Sequence, residues 1–237
     1  MLVRQFSCLI VVALIACAGI VQGAEDMRTE LKFASGLTEL GYYDLAAEQF
    51  EKMNWREIKD GELRVDVAQA AVENYLAAAD VSAEPDASVR YLNAAARETA
   101  ELADEGVPGR YRGRLEMYRG DIQLELGRAH TRQYRIAPEN ERAPIAEKAS
   151  QAFGGAIEAF QAAAQYYREI VEAIEAKASV NDAERRRRNQ SIAQEVAAMT
   201  QVAWAYYRRA EFHELAGNTD AFKYALEEAR KIFTDLS

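Results

Sequence analysis

Two amphipathic helical faces fall within residues 33–53, on either side of Gly41. Apolar side chains three and four residues apart share one face of a helix, so each pattern predicts a short helix. Only a few residues separate the two, which predicts a helical hairpin. A hairpin this small cannot bury its apolar faces alone, so other helices must stack against it. The faces consist of Phe33, Ala34, Leu37 and Leu40, then Leu45, Ala46, Gln49, Phe50 and Met53.

This hairpin resembles one unit of the tetratricopeptide repeat (TPR) family. Small residues fall where the two helices must approach closely, a glycine and a tyrosine mark the turn, and the remaining apolar residues follow the family's spacing. The resemblance implies antiparallel hairpins stacked as a short α-solenoid, a fold that usually holds a protein or peptide in a concave groove. The matching positions are Ala34, Leu37, Gly41, Tyr43, Ala46, Phe50 and Met53. By the same analogy, groove contacts would come from Glu39, Tyr42, Asn74, Arg119 and Gln123, although the resemblance assigns none of them.

The rest of the chain also predicts helices, and no run alternates in the manner of a β-strand. Ala-rich segments with a period of 3.6 residues are separated by short breaks that contain glycine, proline or asparagine. The expected helices are 26–41, 43–53, 62–80, 86–105, 110–135, 144–178, 182–216 and 219–235. We therefore expect one all-α repeat domain over residues 24–237, with two shorter hairpins in 24–108 and longer helices with a terminal hairpin in 109–237.

A heptad pattern sets residues 144–216 apart from an ordinary repeat. Phe153, Phe160, Tyr167 and Ile174 fall seven residues apart, and the following helix repeats steps of four and three from Ile192 onwards. Such spacing places the apolar residues on one seam of a coiled coil. At 1.5 Å per residue each helix would be roughly 50 Å long, so the pattern predicts an elongated antiparallel hairpin. We expect the first helix to continue through Gly154 and Gly155, since the apolar steps do.

The first 23 residues predict a secretory signal peptide. Arg4 precedes an apolar run from Phe6 to Val21 that is too short for an ordinary membrane span and ends in small residues. Export to the periplasm or cell envelope follows. Cleavage before Ala24 and lipidation at Cys17, which ends a lipobox-like Leu-Ile-Ala-Cys, both remain open. Membrane attachment is expected only in the second case.

Composition limits the partners and the sources of stability. No cysteine follows position 17, so the exported domain forms no internal disulfide and must be held together by packing. The formal net charge is −9, which repels nucleic acid and anionic lipid. Apolar residues make up 49% of the chain, as expected of a folded protein with a sizeable core.

Residues that invite a chemical role have simpler explanations. Arg185 to Arg188 form a dense basic run, but Asn181 can cap that helix, and pairing of Asp182 and Glu184 with arginines four residues on would neutralise it. A site for an acidic partner or polyanion is the alternative. His130 and His213 have no local carboxylate, cysteine or histidine at ligand spacing. No nucleophile elbow, zinc motif or phosphate-binding glycine loop occurs, so we expect no catalytic residue, cofactor or metal.

The sequence thus predicts a non-catalytic scaffold of the cell envelope that binds a protein or peptide. Adjacent aromatic residues at Tyr42-Tyr43, Tyr166-Tyr167 and Trp204 to Tyr207 can each place one ring in the core and another near the surface, where it would line a groove. Self-association through the long hairpin is an additional expectation. Two alternatives stay open, a lipidated assembly factor at the outer membrane and an envelope hydrolase with a helical solenoid. The ending KIFTDLS lacks a polar capping helix, which predicts a longer parent protein.

Overall fold

The computed structural model describes residues 26–236, and these contain helices and turns but no β-strand. The all-α prediction is therefore confirmed. Residues 26–39 form α1, followed by α2 Tyr43–Met53, α3 Gly61–Val81, α4 Pro85–Asp104, α5 Arg112–Ile136, α6 Glu139–Glu175, α7 Asp182–Leu215 and α8 Thr219–Asp235. The predicted signal peptide and Cys17 lie outside the described residues. No helix in the described part is long and apolar enough to cross a bilayer.

The contacts divide the chain into two compact units at Ala77/Ala78, within α3. In the first unit, Gly41 ends α1 with φ of +80°, a backbone conformation that glycine adopts without strain. The amide of Tyr42 donates to the carbonyl of Leu37 over 2.9 Å and closes that helix end. Asn74 of α3 is 1% exposed; it accepts a hydrogen bond from Thr38 Oγ1 at 2.9 Å and donates to the carbonyl of Tyr43 at 3.1 Å. One buried amide thus ties both helices of the first hairpin to α3.

The second unit packs α4 to α8 in chain order, each helix against the next. Neighbours run antiparallel, as ion pairs between α6 and α7 show: Arg168 contacts Glu195 at 2.8 Å, and Arg188 contacts Glu175 at 3.0 Å. These two helices have 37 and 34 residues, so the elongated hairpin predicted over 144–216 is present. At 1.5 Å per residue they are about 50 Å long. The proposed subdivision of the domain at residue 108 stays a prediction.

Three glycines of α5 set the spacing between α5 and α6. Gly113, Gly120 and Gly127 recur every seven residues, as do the aromatic residues of α6 opposite them. A Cβ atom on Gly120 would lie 2.7 Å from Phe160 Cζ, and one on Gly127 would lie 2.6 Å from Phe153 Cε1. Carbon atoms that are not bonded need about 3.5 Å, so only glycine fits at these positions. We call these three contacts, the third being Gly113 with Tyr167, the glycine–ring ladder.

The aromatic rings of this ladder also reach α7. Phe160, which is 0% exposed, shares a cluster with Val202 and Ala205, whereas Phe153 packs with Phe212. The heptad seam predicted for α6 and α7 therefore belongs to a three-helix core in which α5 supplies the closest contacts. Each buried aromatic side chain contributes roughly 2–3 kcal/mol to the stability of the unit.

Two details of α6 and α7 differ from the sequence prediction. The break expected from Pro138 to Pro144 is wrong, because α6 begins at Glu139 and Pro144 lies inside it. Pro138 is the N-cap of the helix, and the amide of Glu141 donates to its carbonyl at 2.9 Å, so helical backbone is already established before Pro144. The second difference is that two arginines at the start of α7 pair with other carboxylates than those predicted. Residues Gly154 and Gly155 lie within a continuous helix, as expected.

We expect Gly120→Ala to destabilise the protein by about 1–2 kcal/mol. Alanine gains up to about 1 kcal/mol of helix propensity, but its methyl group overpacks against the fully buried ring of Phe160, at a cost of about 1–3 kcal/mol. Gly154→Ala is the matched control, because a Cβ there meets no atom within 4 Å. That variant should be more stable by up to about 1 kcal/mol.

Urea unfolding followed by circular dichroism measures both variants. Equal stabilisation by the two substitutions would show that the ladder imposes no steric limit. Combining Gly120→Ala with Phe160→Leu should cost less than the two single losses added together, because the smaller side chain relieves the clash.

Candidate functional site

A groove of about 550 Å³ lies among α4, α5 and α6, entirely within the second unit. Its volume falls in the range of ligand-binding clefts. Five of its lining residues carry a single methyl group or none, so the backbones of α4 and α6 are accessible there. These are Ala96, Ala100, Gly155, Ala159 and Ala162, with Thr99, Glu116, Arg119, Ile122, Gln123 and Glu158 completing the lining.

The small residues of the groove follow from helix periodicity. Residues 155, 159 and 162 lie on one face of α6, and 96 and 100 lie on the facing side of α4. Ile122 is 1% exposed and forms an apolar floor, whereas Ala100 and Ala162 are exposed. A floor of small side chains lets a main chain approach the helices closely, which a row of large residues would prevent.

Charged and amide groups line the upper part of the groove. Arg119 Nη1 donates to both carboxylate oxygens of Glu116, at 3.0 and 3.1 Å. Glu158 is exposed and has no ion-pair partner among residues 26–236. Gln123 lies over Gly155, where a Cβ would be 3.3 Å from its Oε1. The groove therefore offers one unpaired negative charge and an amide that can both donate and accept hydrogen bonds.

The five residues that the repeat analogy suggested as groove contacts lie in different places in the structure. Arg119 and Gln123 line the groove together. Asn74 is buried and uses its amide to join helices, as described above, so its role is structural. Glu39 and Tyr42 are exposed in the first unit. Two of the five suggested residues thus line the groove, and the other three do not.

The repeat-signature residues occupy structural positions in the first unit. Ala34 and Ala46 are fully buried, Phe50 and Met53 are 4% and 5% exposed, and Gly41 has the positive φ described above. The other two signature residues, Leu37 and Tyr43, are half-buried.

Sequence reasoning missed the residues that α4 and α6 contribute to the groove. The signal was present: Gly155, Ala159 and Ala162 have helical spacing but lie beside the heptad seam. Small residues on a face that the seam does not use predict a close approach by another chain segment. The missing information was which helix lies opposite, because that depends on tertiary packing.

A second, more apolar groove of about 610 Å³ lies between α7 and α8. Trp204 is 44% exposed, and its ring meets those of Tyr207 and Phe233 edge-on, both at 5.7 Å between centroids. Leu226, 40% exposed, also lines it. The aromatic residues near Trp204 therefore do line a surface groove, as the sequence suggested. Tyr167 is buried beside the half-buried Tyr166, so that pair also divides between core and surface.

The two histidines lie in partly buried surroundings. Burial lowers the pKa of His130; a hydrogen bond with Gln133 opposes this effect, and Lys148 adds to it. Burial, followed by the charge of Arg209, lowers the pKa of His213. In the described part of the chain, no three histidine, cysteine or acidic side chains are grouped to hold a metal ion.

Two of the four arginines at the start of α7, Arg185 and Arg188, have carboxylate partners, but these differ from those predicted. Asn181 Oδ1 accepts from the amide of Glu184 at 2.9 Å, and Glu184 Oε2 accepts from the amide of Asn181, so the predicted cap is present as a capping box. Asp182 pairs with Arg185 rather than Arg186. Arg188 contacts Glu175 of α6, and Glu184 pairs with Lys177. The antiparallel hairpin brings these α6 side chains close, which spacing within one helix could not show.

Comparison with known proteins leaves the family open. No protein-family model matches the sequence, and no curated protein matches it. Among solved structures, BtubC (BKLC) from P. vanneervenii is similar over 92% of this chain and 90% of that chain, at 14% sequence identity and a TM-score of 0.33. A TM-score this low supports no inference about function. The described residues themselves define an all-α protein of successively packed helices.

Asp121, on α5 between two groove residues, provides a test of the electrostatics. Burial raises the pKa of this carboxyl from 3.8 to about 6, and the charge of Glu125 adds to the rise. The folded protein therefore holds this proton more tightly than the unfolded chain does. On account of this group, the unfolding free energy falls as the pH rises from about 4 to about 6.

We expect Asp121→Asn to be more stable than the unmodified protein by about 1–2 kcal/mol near neutral pH, allowing for solvent screening. At about pH 3 or below, where the aspartic acid is protonated in both states, the difference should disappear. Urea unfolding at the two pH values measures this, with the exposed Glu172→Gln as control. A stability difference that is independent of pH would contradict the assigned cause.

Proposed function

We propose that this protein is a non-catalytic helical-repeat scaffold that binds an extended segment of another protein. The groove among α4, α5 and α6 carries the proposal. Its floor of small side chains suits the close approach of a peptide main chain, and the Gln123 amide can pair with main-chain N–H or C=O groups. The TPR-like signature of the first hairpin supports the same class of function.

The charge of the groove limits which peptides can bind there. Glu158 has no ion-pair partner among the described residues, whereas Glu116 and Arg119 neutralise one another. The net charge of the whole chain is also negative. A peptide with a basic side chain near Glu158 would therefore gain a favourable interaction, and an acidic peptide would be repelled. We propose a basic or neutral peptide segment as the ligand, and no nucleic acid.

The proposed location rests on the sequence. A signal-like N-terminal segment favours export to the periplasm or cell envelope, and lipidation at Cys17 would place the scaffold at a membrane. An intact mass of the mature protein separates the two: a chain that begins at Ala24 without acyl groups excludes the lipidated form.

The groove can be tested with a displayed library of random peptides. Selected peptides should contain lysine or arginine, and Ala162→Trp should weaken their binding at least about tenfold, because the indole would fill the groove from an exposed position. Ala197→Trp, at an exposed alanine of α7 away from the groove, should leave the affinity unchanged.

Glu158→Gln tests the charge assignment separately. It should weaken the selected basic peptides about two- to fivefold, an exposed ion pair being worth up to about 1 kcal/mol, and the loss should shrink in high salt. Isothermal titration gives both dissociation constants. If the selected peptides bind the Ala162→Trp variant as tightly as the unmodified protein, their binding site lies outside the groove.

Self-association through the long hairpin is a second candidate, favoured by exposed apolar residues along α7. Val196 is 45% exposed, and Ile192 and Trp204 lie on the same helix at 37% and 44%. Burying such residues against a second copy would remove apolar surface from water.

Sedimentation velocity tests this candidate. If the hairpin pairs, Val196→Glu should shift a dimer to monomers, because a charge would be buried without a partner. Val81→Glu, the same change at an exposed valine outside the hairpin, should have no such effect. A protein that is monomeric at all concentrations would remove this candidate and leave the peptide scaffold untouched.

A further inference from the structure

A small basic pocket of about 230 Å³ lies between α5 and α7, apart from both grooves described above. Four arginines line it and only one acidic residue does, although the chain as a whole carries a net charge of −9. The lining residues are Arg128, Thr131, Arg132, Arg135, Phe153, Arg208, Glu211 and Phe212.

The positions of these arginines make their clustering costly. Arg128, Arg132 and Arg135 are four and then three residues apart, so they share one face of α5. Like charges at this spacing destabilise a helix by a few tenths of a kcal/mol per pair. Arg208 then adds a fourth positive charge from α7. An anion bound in the pocket would offset the repulsion among these arginines.

Carboxylates of the protein neutralise only half of this charge. Arg128 Nη1 lies 2.6 Å from Glu125 Oε1, and Arg208 Nη1 lies 2.7 Å from Glu211 Oε2. Neither Arg132 nor Arg135 has a carboxylate partner among residues 26–236. Two positive charges therefore remain uncompensated.

Arg132 is held in place by one hydrogen bond and has a second N–H donor without an acceptor. Its Nη2 donates to Ser88 Oγ of α4 at 3.0 Å, which fixes the guanidinium. Its Nε is buried and has no hydrogen-bond partner in the described structure. A buried donor without an acceptor costs about 1–3 kcal/mol, so an oxygen atom supplied by a ligand would satisfy it. Phe153 and Phe212 provide an apolar wall beside the arginines.

We propose that this pocket binds a phosphate group, either as free inorganic phosphate or as the head of a small organic phosphate. A phosphate monoester carries a charge of about −1.5 to −2 near neutral pH, which matches the two uncompensated arginines better than a carboxylate does. Guanidinium groups bind phosphate oxygens through paired N–H donors.

Titration with inorganic phosphate and with phenyl phosphate, monitored by calorimetry and ³¹P NMR at constant ionic strength, tests the proposal. Binding of either compound at millimolar concentration or below supports it. Tighter binding of phenyl phosphate would assign the pocket to an organic phosphate, and equal or weaker binding would assign it to the free ion. Failure of both to bind would overturn the proposal.

Two variants locate the site. Arg132→Gln and the exposed Arg135→Gln should each weaken binding at least about tenfold, because each removes one of the two uncompensated charges. Arg187→Gln, in the basic run of α7, is the matched control and should bind as the unmodified protein does. Thermal unfolding without ligand shows whether each variant is folded. If folded Arg135→Gln binds with unchanged affinity, the pocket is not the phosphate site.

Discussion

Contact between glycine backbone and aromatic rings determines how α5 and α6 pack, and the remaining helices of the second unit depend on that pair. The rings of Phe153, Phe160 and Tyr167 fit against α5 only because residues 127, 120 and 113 lack a Cβ atom. The same rings form the surface on which α7 packs, and α7 in turn supports α8. The position of α6 also places Gly155 and Ala159 beside α4 and so forms the groove among α4, α5 and α6. Helix packing and the candidate site therefore share one origin.

Local sequence signals predict where the helices lie in the chain, but they do not predict which helices pack against each other. Glycine, asparagine and proline breaks located the helix ends to within a few residues, because capping depends on the nearest neighbours in the chain. Pro144 is the exception, because it is the sixth residue of α6 and removes one main-chain hydrogen bond there, yet the helix continues through it. The rings of α6 recur every seven residues and predict a seam, and the glycines of α5 recur with the same spacing. Together the two patterns would have predicted the pairing.

The candidate site shows the same limit more strongly. Arg119 and Gln123 follow from analogy with a repeat groove, whereas the alanines opposite them line a groove only because α4 and α6 lie side by side. Likewise, the arginines of α5 share a face that the sequence alone could reveal, but Arg208 joins them from a helix some 75 residues away. Residues that define a site from separate helices require the tertiary arrangement, which periodicity does not specify.

The seven-residue repeat of the ladder also creates an ambiguity that the chain must resolve. If α6 slipped along α5 by one heptad, about 10 Å, two of the three glycines would still face an aromatic ring. Only two residues, Ala137 and Pro138, connect the helices, so the chain from Ile136 to Glu139 spans at most about 11 Å. That reach excludes the slipped register in which Phe160 would face Gly127, because this slip would carry the start of α6 about 10 Å further beyond the end of α5. Loop length thus prevents one alternative fold that would satisfy most of the same contacts.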